Sequence, residues 1–290
     1  VPEHHGAEDG YCPAPNVLLA ALAARTKRMK LGSGIALAPL YHPVRFAEEC
    51  AALDILSGGR MEMQLAIGYR KRETEAYGVD FTKRGAIFDE FLEIVQRLWA
   101  GETVTFEGRF YQVRDARIMP PAPRGRIPLY IGGFAPKALE RVAKRADGYF
   151  GNPEFVAPYR DALAALGKDP ASARVRFQSL FTVVAPDPAA ALEELAPYFH
   201  HVNNTYGQWL NEDKAIGIDD PALKPMDLDA FKASGILDVI TPDAAVARYR
   251  KLRDEYAVEH VTFMLPPGLP PAKFMPYAEC FAKEVLPAFA

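Results

Sequence analysis

The chain has 290 residues, 49% hydrophobic and 24% charged, with a net charge of −3. No run of about 18 apolar residues marks a membrane span, and the scattered Lys and Arg form no basic field for a phosphate backbone, which excludes membrane and nucleic acid as partners. Cys12, Cys50 and Cys280 are an odd, widely spaced set without C-x-x-C, which fits a reducing cytoplasm better than a disulfide framework, and no basic-apolar leader precedes Glu3.

Apolar β-branched runs alternate with helical patterns in chain order, the signature of βα units around a parallel sheet. Asn16 is a candidate N-cap for a helix to Thr26, and Arg28 to Leu37 reads as a strand. Pro43 suits the first turn of a helix through Val44 to Leu56, which Ser57-Gly58-Gly59 stops. Arg60 to Ile67 is the next strand. Phe88, Phe91, Leu92, Val95, Leu98 and Trp99 recur at helical spacing over Arg84 to Trp99, a core-packing stripe.

Thr103 to Phe106 and Arg109 to Val113 flank Glu107-Gly108 as a hairpin. A strand at Leu129 to Ile131, a helix from Pro136 to Ala146, a strand at Gly148 to Phe150, a helix over Pro158 to Leu166 and a long strand at Arg174 to Ala185 continue the alternation. Helices near Ala189 to Phe199 and Pro242 to Tyr256 bracket an irregular stretch, and a strand at Val261 to Leu265 precedes a last helix from Ala272 to Leu286. Residues 200–235, with Tyr206 and Trp209, exceed an ordinary loop and read as an active-site lid, or alternatively as a plain surface insertion. No repeat or linker suggests a second domain, so residues 1–290 read as one α/β domain. Val1-Pro2-Glu3 is the stub of a strand beside six full ones, short of the eight in an α/β barrel.

Several segments together carry a resemblance: Glu3-His4-His5; Leu22 to Thr26 with Leu31-Gly32; His42-Pro43-Val44-Arg45 with Ala47-Glu48; Leu53-Asp54 with Leu56 to Arg60; Tyr77-Gly78-Val79-Asp80; Ile131-Gly132-Gly133 with Ala146-Asp147-Gly148; and Glu284 to Pro287. In this order the chain resembles the bacterial luciferase-like family of flavin- and deazaflavin-dependent oxidoreductases. The resemblance implies a (β/α)8 TIM barrel lacking the first strand, first helix and most of the second strand. Such a barrel has an exposed edge, so either the sequence is partial or a partner subunit covers it. Ile67 stands where luciferase itself has an arginine for the flavin phosphate, leaving backbone or another cation, Arg70 among them, for that task.

The family places the first histidine of the pair beside the flavin, which implies acid/base work for His4, with His5 supporting it. An imidazole at the end of a barrel strand is chemically suited to proton transfer near neutral pH. On the residues alone, a half-exposed histidine pair at a strand end is the alternative. Gly32-Ser33-Gly34-Ile35 lets backbone approach a flat ring, and the resemblance implies a cis bond between Gly34 and Ile35. Gly132-Gly133-Phe134-Ala135 runs into a helix whose N-terminal N–H groups suit the flavin phosphate, against the alternative of a tight connection. Gly68 and Tyr69, at another strand end, edge the ring. His42, Arg45, Glu48, Asp54 and Arg60 read as structural, Arg45 and Glu48 being placed to pair on one helix. His200, His201 and His260 lack ligand spacing, so no metal is assigned, and nothing near Cys12 argues for a thiolate.

The resemblance thus implies a monooxygenase taking reduced FMN from a separate flavin reductase and using O2 on a small organic substrate, in a homodimer. One alternative is a hydride-transferring oxidoreductase with a deazaflavin coenzyme. Glu-His-His, rather than the Asp-His of those relatives, favours FMN. A non-catalytic flavin-binding protein is a further alternative.

Overall fold

In the computed structural model, residues 1–212 and 223–290 are described. They fall into two compact units, Val1–Gly151 with Ala157–Arg174, and Asn152–Val156 with Val175–Ala290.

The first unit opens with α1 (Pro15–Arg25). Proline's fixed φ suits a first helical turn, so the helix starts before Asn16. That side chain caps nothing and instead donates to Glu49 at 2.8 Å. The expected strand over Arg28 to Leu37 shrinks to β1 (Ala36–Leu37) with one parallel bridge from Leu31 to Met61. Between them a Cβ on Gly32 would overlap the Glu62 carbonyl, so backbone lies against backbone where a regular ladder would need space.

Helix α2 (Pro43–Ser57) begins on Pro43 and ends as expected, with Gly58 in the left-handed region at φ 70°. After β2 (Met63–Ala66) comes the short α3 (Lys71–Ala76). Helix α4 (Arg84–Trp99) buries Phe88, Phe91, Leu92, Val95, Leu98 and Trp99 in the anticipated stripe, and the Trp99 indole donates to the Ala47 carbonyl at 3.2 Å. Strands β3 (Val104–Glu107) and β4 (Gln112–Ala116) make the expected antiparallel hairpin. The Glu90 carboxylate, on α4, accepts the amides of Arg109, Phe110 and Tyr111 in the turn. β5 (Leu129–Gly132), α5 (Pro136–Arg145), β6 (Gly148–Phe150) and α6 (Val156–Ala165) complete the alternation.

β1, β2, β5 and β6 pair in parallel, with Leu37 opposite Ala66, Leu65 opposite Ile131 and Gly132 opposite Phe150. Parallel strands buried on both faces are the core of an α/β layer. Their register sets Leu37, Ala66, Gly132 and Phe150 at one level, so the loops that follow leave from one edge.

In the second unit the expected strand over Arg174 to Ala185 is two, β7 (Val175–Ser179) and β8 (Thr182–Val184), interrupted at Leu180 and Phe181. Helix α7 (Pro188–Glu212) runs well past Phe199, correcting the irregular reading of residues 200–212. Its apolar stripe continues through Val202 to Trp209. The polar residues that suggested a loop hold another segment: Asn204 donates to the Met226 carbonyl at 2.9 Å and accepts its amide at 3.0 Å, while Asn203 donates to the Lys224 carbonyl at 3.0 Å. The rest of the expected lid includes residues 213–222, which lie outside the described residues.

Helix α8 (Leu228–Ser234) and β9 (Asp238–Ile240) were not anticipated; β9 pairs in parallel with β8. Helix α9 (Pro242–Tyr256) leads to β10 (Val258–Phe263), which pairs in parallel with β7. The last predicted helix is α10 (Pro271–Cys280), followed by a wider turn at Phe281–Val285 and a tighter one at Leu286–Phe289. Among the described residues no helix is long and apolar enough to cross a membrane.

Candidate active site

The Glu3-His4-His5 segment is fixed to the C-terminal edge of the first unit's parallel strands. Glu3 is buried, and its carboxylate accepts the Leu37 amide and the Tyr41 hydroxyl, each at 2.6 Å. His5 Nε2 lies 3.1 Å from Glu3 Oε1, and the Tyr77 hydroxyl lies 2.9 Å from His5 Nδ1. Burial, then the Glu3 charge and hydrogen bond, push the Tyr41 phenol well above its ordinary range, so it stays a donor.

His4 is 8% exposed and Glu73 2%. His4 Nδ1 lies 3.1 Å from Glu73 Oε1, which also accepts the His5 amide and Arg70 Nη1, both at 2.9 Å. Arg70 Nη1 donates to the His5 carbonyl at 3.0 Å as well. Burial alone would raise the Glu73 carboxyl, but the His4 hydrogen bond and charge, the His5 amide and Arg70 outweigh it and hold it below its ordinary value. The His4 ring has Tyr11 at 5.2 Å and Tyr69 edge-on at 6.1 Å between centroids.

The predicted cofactor residues converge on the same edge from the neighbouring strands. The Gly34–Ile35 bond is cis. A Cβ on Gly132 would stand 2.9 Å from Ile35 Cδ1 and 3.7 Å from the Ala66 Cβ, which brings Gly34-Ile35, the end of β2 and the end of β5 together. Gly68 has φ 76° and leads into Tyr69 beside His4. Gly133 has φ 140°, where a Cβ would press on Ala138, so glycine is needed to enter α5 this closely. Phe134 is exposed, and Ala135 occupies the N-cap of α5 without a side-chain cap.

Arg70, suggested as the cation for a phosphate, pairs with Glu73 and donates to the His5 carbonyl. Three of the motif-borne charges make contacts within the fold. Arg60 binds the Ala23, Thr26, Met29 and Ser57 carbonyls. Buried Asp54 accepts the Met61 amide at 3.2 Å, and Arg45 pairs with Glu49 in place of Glu48. Burial raises the Cys12 thiol, the opposite of an activated nucleophile. Glu73, Tyr41 and Tyr77 were missed. The available signal for Glu73 was its spacing of three from Arg70, one turn after a strand end.

Two buried oxygens here, Tyr69 Oη and Glu73 Oε2, have no hydrogen-bond partner among the described residues. Buried polar atoms of this kind call for a ligand or water. Together with the small residues at Ala66, Gly68, Gly132 and Gly133 and the aromatic edges, they fit a flat ring bearing polar atoms, with a protonatable imidazole beside it.

A family model described as luciferase-like monooxygenase matches residues 1–256. A coenzyme F420-dependent glucose-6-phosphate dehydrogenase of Beutenbergia cavernae is 30% identical over 294 residues, covering 96% of this chain and 83% of that protein. An uncharacterised protein of Mycobacterium tuberculosis is 37% identical over 141 residues, 48% of each. The chain thus spans about half the length of the curated relatives it matches at that identity. Among solved structures, the monooxygenase RslO1 of Streptomyces bottropensis has a TM-score of 0.84 at 25% identity, covering 100% of this chain and 87% of that one. The chain belongs to the luciferase-like monooxygenase family, an oxidoreductase family, and its α/β fold is of the luciferase-like TIM-barrel type.

Proposed function

We propose that this member of the luciferase-like family is a monooxygenase that uses reduced FMN and O2 to oxygenate a small organic substrate. The observation that carries the reading is His4, buried between Tyr11 and Tyr69 at the edge where Gly132 meets Ile35. The likeness to RslO1 over the whole chain supports it.

When bound, reduced FMN supplies two electrons, so that one oxygen atom of O2 enters the substrate and the other leaves as water. The chain's residues do the remainder. Gly34, Ile35, Gly68 and Tyr69 bound the ring and keep water from it. Gly132, Gly133, Phe134 and Ala135 offer the start of α5 to the phosphate, where N–H groups and the helix dipole favour an anion. His4 moves a proton at Nε2, and His5, tied to Glu3 and Tyr77, holds the segment in place. The reading includes a separate reductase as the source of reduced flavin, and a homodimer.

A coenzyme F420-dependent hydride transfer is the second reading, favoured by the Beutenbergia cavernae relative aligned over 96% of the chain. Titration of the purified chain with FMN and with the deazaflavin coenzyme, followed by absorbance, separates them. The first reading expects saturable FMN binding. Tight binding of the deazaflavin alone would establish the second.

A further inference from the structure

We infer that Glu73, clamped by Arg70, is a positioning residue that fixes His4 as the Nδ1–H tautomer while His5 beside it is fixed as the Nε2–H tautomer. The inference rests on the proposed role of His4, and it extends that role to residues 69 positions away in sequence.

The geometry around each ring dictates its tautomer. An ionised carboxylate can only accept, so His4 Nδ1, 3.1 Å from Glu73 Oε1, must carry the proton. Nε2 is then the basic nitrogen of the neutral ring. For His5 the contacts are reversed: Nε2 faces the Glu3 carboxylate at 3.1 Å, so Nδ1 is bare and accepts the Tyr77 hydroxyl at 2.9 Å. Two adjacent histidines thus present opposite nitrogens to their carboxylates. A carboxylate that orients an imidazole through one nitrogen so that the other can take a proton is the arrangement of the serine hydrolase triads.

Arg70 makes the clamp specific. A single guanidinium nitrogen, Nη1, bonds the Glu73 carboxylate at 2.9 Å and the His5 carbonyl at 3.0 Å, so the carboxylate and the backbone carrying the imidazole are held at one point. The same Glu73 oxygen takes the His5 amide at 2.9 Å, which fixes the chain on both sides of that peptide. Arg70 and Glu73 are both buried and lie three residues apart at the start of α3, so their pairing needs no distant element. A pair whose only task was to neutralise charge would not require three donors to converge on one oxygen.

The test is long-range 1H–15N NMR of the full, flavin-free chain labelled on histidine, at a pH where the imidazoles are neutral. The parent should show His4 with protonated Nδ1 and bare Nε2, and His5 with the reverse. Arg70→Met/Glu73→Leu removes both charges together, so neither is left buried alone, a replacement that folded proteins commonly tolerate. In it, His4 should lose the Nδ1–H form as the major species. Oxygen consumption with reduced FMN should fall in kcat by about tenfold or more. A bare His4 Nδ1 in the parent, an unchanged tautomer in the double variant, or a lost tautomer with unchanged kcat would each overturn the inference. Absence of oxygen consumption in the parent would instead overturn the proposed function, and the tautomers would still be read directly.

Discussion

Gly132, the last residue of β5, lies where a Cβ would stand 2.9 Å from the Ile35 side chain, directly after the cis Gly34–Ile35 bond. The closeness of two segments nearly a hundred residues apart gives glycine a packing role here as well as the proposed binding one. In Gly132→Ala the closest obstructing atom is the flexible end of Ile35, with the Phe150 carbonyl less tightly placed at 3.3 Å, so stability should fall by only about 1 kcal/mol, while FMN affinity falls by about tenfold or more. In Gly32→Ala the obstruction is the Glu62 backbone carbonyl, which cannot step aside. That variant should lose about 3 kcal/mol. Urea titrations of both variants, compared by midpoint, check the ordering.

Acid should loosen the His4 clamp. The Glu73 carboxyl is held below its ordinary value of 4.5, so its contribution to stability is complete above that pH and is lost as pH falls through the lower, folded value. Unfolding free energy measured from pH 6 downward should therefore decline more steeply in the parent than in Arg70→Met/Glu73→Leu. Parallel profiles would count against a native-state pairing of this strength.

How much of this was legible depends on how local each signal is. The α4 stripe and β6 are written in consecutive residues, and both appear with the expected bounds. Asn16 misled because Pro15 had already started the helix, and a strand over Arg28 to Leu37 overlooked the backbone approach at Gly32. His200, Asn203 and Asn204 looked like loop composition, yet their side chains serve the returning segment at 224–226, a contact no local pattern encodes. Glu73 sits in a run of charges, Lys71-Arg72-Glu73-Thr74-Glu75, that reads as a solvated helix face. Only the fold brings it to His4.

Glu3 should matter more to stability than either histidine. Its carboxylate serves the Leu37 amide, the Tyr41 hydroxyl and His5 Nε2, so Glu3→Ala leaves one buried and two half-buried donors without that acceptor. At roughly 1 to 3 kcal/mol each, the loss should exceed about 3 kcal/mol. Tyr41→Phe removes one donor and leaves the carboxylate with two, and should cost about 1 kcal/mol with FMN affinity unchanged. Thermal unfolding of the two variants against the parent checks the contrast.

The central claim concerns His4 as the proton-transfer group of a flavin monooxygenase, and substrate-dependent oxygen consumption with reduced FMN tests it most directly. Across a broad substrate panel the parent should consume oxygen. In His4→Ala the rate should fall by about 100-fold to 10,000-fold, with the FMN Kd within about twofold of the parent. Equal rates in the parent and His4→Ala would contradict the account.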